Sequence, residues 1–184
     1  MHERAYSFIG GLDGPWEIMR VSSVVGDSLP AVPRLRVASG LITSSTGSWV
    51  LRGVTSNERY TNRPEKQRLV ALQPSLGRVQ ATYAALIPIR KSADWWSLTQ
   101  DERRLVFEEQ SHHIALGLTR LPAVARRLHH CRDLAEPFDF LTWFEYAPED
   151  SFSFESLVTE MRATEEWRWV DREVDIRLRR AGAA

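Results

Sequence analysis

The chain has 184 residues, 43% hydrophobic and 26% charged, enough to bury a core in one compact domain or two small fused halves, which excludes a disordered chain. Its 24 basic and 24 acidic residues cancel, announcing neither a nucleic-acid partner nor a membrane surface, and the single cysteine, Cys131, excludes an internal disulfide or a thiolate cluster. No stretch reaches the roughly 20 apolar residues of a membrane span, so a soluble cytoplasmic protein is expected, or a periplasmic one if a leader has been removed.

Residues 6–9, 34–38 and 48–54 are short β-like runs separated by Gly, Pro and Ser punctuation at Gly10-Gly11, Asp13-Gly14-Pro15 and residues 43–47. The N-terminal half is therefore expected to be rich in strands and loops. The spacing Gly10-x-x-Asp13-Gly14 is similar to a motif of dye-decolourising peroxidases, where an aspartate beside a haem handles peroxide protons; it equally fits an Asp-Gly turn before Pro15. A longer strand is predicted over residues 78–90, running into Ser92-Ala93-Asp94-Trp95-Trp96, where period two gives way to helical spacing. The two halves, residues 1–94 and 95–184, are expected to join there.

Thr99 stands three residues before Glu102, the spacing of a capping box, and Leu105, Val106, Glu109, His112, His113 and Leu116 then share one broad face. Both histidines are expected on that helix, near its end. Pro122 stops it, residues 123–131 read as extended, and residues 138–146 are rich in aromatic and β-forming side chains. Phe154, Leu157, Val158 and Met161 form a second helical stripe, and residues 170–178 alternate as a closing strand. This order predicts an α+β fold, an antiparallel sheet with helices on one face.

Several residues are candidates for chemistry. His113 shares a face with Leu105, Val106 and Leu116, so it is either a core histidine bonded to a carbonyl or a metal ligand in a low-dielectric site. Arg126 falls on one strand face with Val124 and Leu128, whereas Arg127 points the other way with Ala125 and His129. An arginine on an apolar face needs a carboxylate, for which Glu145 is available, or an anion from outside the chain. Glu165 and Glu166 close the second helix and are either a solvated end or an acceptor for the far ring N–H of a ligating histidine. Glu109-x-x-His112 has the spacing of half a carboxylate-bridged di-iron site, but the second half is missing, and neighbouring His129 and His130 face opposite ways on a strand.

The chain resembles the chlorite dismutase family in Trp95-Trp96, in Glu109-Gln110-Ser111-His112-His113, in Ala125-Arg126-Arg127-Leu128-His129-His130-Cys131-Arg132-Asp133 and in Phe138-Asp139-Phe140-Leu141-Thr142-Trp143-Phe144-Glu145. The likeness extends through Trp49-Val50-Leu51-Arg52-Gly53-Val54-Thr55-Ser56-Asn57-Glu58-Arg59-Tyr60 and Glu165-Glu166, and fits the short lineage with a reduced N-terminal half. It implies ferredoxin-like halves (the dimeric α/β-barrel type), a homodimer and haem b. The implied reaction turns chlorite into chloride and O2 by way of a ferryl haem and hypochlorite; the alternatives within the superfamily are a coproheme decarboxylase-like enzyme, a haem peroxidase or a non-catalytic haem-binding protein. The family's proximal histidine precedes its distal arginine by thirteen residues, the interval from His113 to Arg126. The same resemblance implies Glu166 as the acid that polarises this histidine, Gln73 and Phe144 as distal-pocket residues, Trp95 near the haem edge and Trp96 toward a subunit contact. Asn57, Tyr60 and Lys91 are implied as propionate donors.

Overall fold

The computed structural model describes residues 4–43, 46–55 and 60–182. Its strands are β1 (Ala5–Gly11), β2 (Trp16–Val25), β3 (Arg34–Ser39), β4 (Trp49–Val54), β5 (Tyr83–Lys91), β6 (Ala125–His130), β7 (Phe140–Tyr146) and β8 (Val170–Arg180). Its α-helices are α1 (Arg63–Leu72), α2 (Ala93–Ser97), α3 (Gln100–Arg104), α4 (His113–Thr119) and α5 (Ser151–Arg162). Every strand pairing is antiparallel, and the sheet closes on itself in the order β1-β3-β2-β8-β5-β7-β6-β4.

The α+β content and the antiparallel sheet are as the sequence predicts, and the sheet closes into a barrel. The reason is visible in β5, whose residues Ala84 to Ile89 are all buried. A strand apolar on both faces needs cover on both, and closure covers the inner face with the barrel's own side chains while removing exposed edges. Leu86 and Ala84 therefore turn inward with Phe8, Trp16, Leu51, Leu141, Trp143 and Ile176. Ala85, Ile87 and Ile89 turn outward with Phe144, Phe154, Leu157, Val158 and Met161, where α5 covers them. The expected stripe of α5 is thus core, and at about 25 cal/mol per Å² its Phe154, which is fully buried, contributes on the order of 2–3 kcal/mol. Among the described residues β4 and β6 share one registered pair, Val54 with His130.

Two elements went unanticipated. Strand β2 runs along β8 with two register shifts, and α1 opens with Asn62 accepting from the Glu65 amide while the Glu65 carboxylate accepts from the Asn62 amide. That capping box, with a proline in the first turn, was readable in the sequence.

The segment carrying the histidines also differs from one continuous helix. The Thr99–Glu102 box forms, but α3 passes into a π-helical stretch (Leu105–Gln110), and His112 adopts a left-handed backbone (φ 53°) before α4 begins at His113. The break turns the two imidazoles apart: His112 is exposed and His113 half-buried. The outer face of β8 carries buried Glu173, Asp175 and Arg177, and Arg162 of α5 donates to Glu173 at 2.9 and 2.6 Å and to Asp175 at 2.7 Å. These pairs fix α5 on the barrel, because removing either partner would strand a buried charge.

Candidate active site

A cavity of about 650 Å³ lies on the outer side of the barrel, walled by side chains of β5, β6 and β7, by α1 and by the start of α4. His113, Glu166, Lys91, Trp95, Tyr60, Gln73 and Arg126 all line it. Asn57 lies outside the described residues.

On the helix side, the Nδ1–H of His113 donates to Glu166 Oε2 at 2.6 Å, and the ring stacks on Phe107 with centroids 4.2 Å apart. With Nδ1 so engaged, Nε2 keeps its lone pair free to bind a metal. Three contacts hold this arrangement. Glu108 accepts from the amides of Ile114 (2.6 Å) and Ala115 (3.3 Å), capping α4, while Ser111 Oγ accepts from the Glu166 amide at 2.8 Å. Lys91 Nζ donates to Glu166 Oε1 at 2.8 Å and lies 4.8 Å from the centre of the Trp95 ring. Lys91 is thus committed to the carboxylate that also holds His113. Glu166 is only 4% exposed; burial pushes its carboxyl up, but its contacts with His113 and Lys91 outweigh that and hold it down at about 2. Glu165, by contrast, pairs with Arg168 at the surface, 3.0 Å away.

On the sheet side stands Arg126. Its strand neighbour across β7 is Phe144, and Gln73 Nε2, just past the end of α1, donates to the Arg126 carbonyl at 2.9 Å. Burial lowers the guanidinium's pKa, and among the described residues no carboxylate lies in ion-pair contact with it to offset that cost. Glu145 is spent elsewhere, accepting from the Gly77 amide at 2.6 Å and from Trp143 Nε1 at 2.9 Å. Arg127 lies on the other strand face, as alternation requires, and donates to the Tyr6 hydroxyl at 3.0 Å, though it too borders the cavity. A smaller cavity of about 70 Å³ continues beneath, touching both His113 and Arg126 and lined by Phe144, Leu157 and Met161.

Two further polar atoms are left over. Tyr60 Oη and Trp95 Nε1 are buried without a hydrogen-bond partner among the described residues, and their rings meet edge to face at 6.3 Å. Buried donors are rarely left unpaired in a finished interior. Trp96 is accounted for by Asp139 (3.1 Å), Phe140 and the guanidinium of Arg132. Among the described residues no group of three or more His, Cys, Asp or Glu side chains could hold a metal ion, which leaves Glu109-x-x-His112 without partners. Asp13-Gly14 forms the turn between β1 and β2, away from the cavity residues. Glu108 and Ser111 were missed because their role depends on the helix break, and a helix read as continuous has no interior start to cap.

A family model described as chlorite dismutase matches residues 4–180. The chain belongs to the chlorite dismutase family. A chlorite dismutase from Ideonella dechloratans is 35% identical over 113 residues, covering 58% of this chain and 36% of that protein, so the match spans little more than a third of that curated relative. The crystal structure of a dimeric chlorite dismutase from Nitrobacter winogradskyi is 58% identical, with a TM-score of 0.91 over 96% of this chain and 99% of the other. A mutant chlorite dismutase from Candidatus Nitrospira defluvii, at 19% identity, shares the fold with a TM-score of 0.68 over 97% of this chain and 92% of its own.

Proposed function

We propose that the chain is a haem b-dependent chlorite O2-lyase of the short, dimeric kind, converting chlorite to chloride and O2. The observation that carries this reading is the guanidinium of Arg126, a permanent cation on the cavity wall with no carboxylate partner among the described residues. A cation so placed is an anion site awaiting an anion from outside the chain.

The residues fit a haem. The cavity is in the range of cofactor sites, roughly 300–1,000 Å³. His113 would hold the iron through its free Nε2, and the unsatisfied Tyr60 Oη and Trp95 Nε1 suit the haem's carboxylates, with Asn57 a further candidate. The chemistry that a bound haem supplies is removal of an oxygen atom from chlorite and O–O bond formation with the hypochlorite left behind.

The chain's own part is electrostatic. Ionised Glu166 accepts the Nδ1 proton of His113 and makes Nε2 a stronger donor, which favours ferric iron. Lys91 balances the carboxylate, so the pair can stay buried. Arg126 holds the anion by charge-assisted hydrogen bonds and, being charged at any working pH, is a clamp and neither acid nor base. Gln73 steadies its backbone, while Phe144 keeps water from its flank.

A dimeric relative at 58% identity supports a homodimer for this chain. We read the chain as two ferredoxin-like halves, residues 1–94 and 95–184, fused through the shared barrel, with β5 pairing to β7 and β8 of the second half.

The test is oxygen yield. The haem-loaded protein should evolve O2 from chlorite without added reductant, and Arg126→Ala should keep its Soret band yet release more hypochlorite to a scavenger and bleach sooner. Losing a charge-assisted hydrogen bond of roughly 1.5–3 kcal/mol shortens the anion's stay about ten- to hundredfold. A haem-loaded protein that consumes peroxide with a reductant but evolves no O2 from chlorite would instead be a peroxidase.

A further inference from the structure

Gly117 has no evident backbone reason to be glycine. It lies within α4, buried and in ordinary helical conformation, where glycine is a poorer choice than alanine. What sets the position apart is its neighbour. A Cβ built there would stand 2.6 Å from Nη1 of Arg126 and 3.0 Å from both its Cζ and Nη2, and these three guanidinium atoms are its nearest neighbours. Outside the backbone of α4 itself, no main-chain atom stands closer. The bare backbone of α4 is therefore a seat on which the flat end of Arg126 rests, one turn along from His113 on the same helix.

We propose that Gly117 is a positioning residue for Arg126: by omitting a side chain it lets the guanidinium lie against α4 and sets where its N–H donors meet an anion in the cavity. This rests on the reading of Arg126 as the anion clamp. The obstructed atoms are the far end of a flexible side chain, so a methyl group at residue 117 displaces the guanidinium and not the fold. The helix carrying His113 and the strand carrying Arg126 are thereby coupled at a point distinct from the His113–Glu166 contact.

The experiment is a double-mutant cycle on the haem-loaded protein, with Gly117→Ala, Arg126→Ala and both together. Fluoride, a small anion that ligates ferric haem, is titrated and followed by the absorption spectrum; the melting temperature of each haem-free protein is measured beside it. Arg126→Ala should weaken fluoride about ten- to hundredfold and Gly117→Ala about three- to tenfold, as a charge-assisted hydrogen bond lost or bent out of line requires. In the Arg126→Ala background the Gly117→Ala penalty should vanish, and Gly117→Ala alone should melt at or above the parent's temperature. Parent-like fluoride affinity in Gly117→Ala beside a weak Arg126→Ala overturns the inference and leaves the clamp standing. So does a penalty that persists without Arg126, or a drop in melting temperature, since either means that the methyl group met rigid packing. Parent-like affinity in Arg126→Ala removes the clamp and the inference together, and is told apart because it appears with Gly117 untouched.

Discussion

Strand β6 withdraws two basic side chains from solvent, His129 wholly and Arg126 in part, one on each face, and they are treated in opposite ways. On the barrel's inner face His129 packs edge-on against Tyr6 and Phe8, with centroids 5.3 and 5.1 Å away, and reaches the Leu141 carbonyl at 3.2 Å. Burial brings its pKa down to about 4, so it stays neutral and its polar need is met inside the chain. On the outer face burial lowers Arg126 too, but a guanidinium cannot shed its proton, and among the described residues no carboxylate answers it. Across the cavity's lining Glu166 shows a third solution, a buried carboxylate answered by the Lys91 ammonium and the Nδ1–H of His113. Burial taxes all three alike. What marks the outer face as a site is that its accounts are left open: a free Nε2, two unpaired donors and an unanswered cation.

The largest expected effect concerns that free nitrogen. His113→Ala should weaken haem binding by more than about a hundredfold in a Soret titration, since losing even a partner of a metal ligand costs ten- to hundredfold; His112→Ala, exposed and turned away, should bind as the parent does. Equal loss in both variants would erase the distinction drawn from the helix break. Next comes Glu166→Ala, which strands Lys91 and should cost about 3–5 kcal/mol in denaturant unfolding of the haem-free protein. Adding Lys91→Met should recover much of it, and no recovery would mean that the pair is not what burial has to be offset by.

The inner face makes a prediction of its own. His129 has a folded pKa of about 4 against 6.5 for the free side chain, so the unfolded chain takes up the proton first as the solution is acidified. The stability present above pH 6.5 is lost between 6.5 and 4, by about 3 kcal/mol in all. Urea unfolding of the parent and of His129→Gln across that window should diverge, the variant lacking this slope; parallel curves would place the acid sensitivity elsewhere. The smallest effect is reserved for Arg127→Ala, which gives up one bond to the Tyr6 hydroxyl and should change stability by no more than about 1 kcal/mol and oxygen yield not at all. A crippled Arg127 variant beside an active Arg126 one would reverse the two faces.

Much of this was legible in the sequence where the governing interaction is local. Alternation along β6 separated Arg126 from Arg127, the stripe of α5 declared its buried face, and Thr99–Glu102 capped α3 as its spacing requires. The pairing of Glu166 with His113 spans 53 residues and was reached through family resemblance, because adjacent Glu165 and Glu166 differ only in what lies across from them. Strand β2 and helix α1 were missed although α1 carried a capping box, since weak amphipathicity hid both.

By itself, then, the sequence determined the α+β content, the strand faces, the helix stripe and the identities of the groups able to do chemistry, all set by the periodicity and chemistry of neighbouring residues. Only the tertiary structure decided that the sheet closes, that the helix breaks at His112 so that just one of its two histidines faces the cavity, that Lys91 answers Glu166, and that the guanidinium of Arg126 lies against Gly117. Those outcomes depend on which distant surfaces are brought into contact, and the free energy of a buried charge is set by that contact and not by its place in the chain.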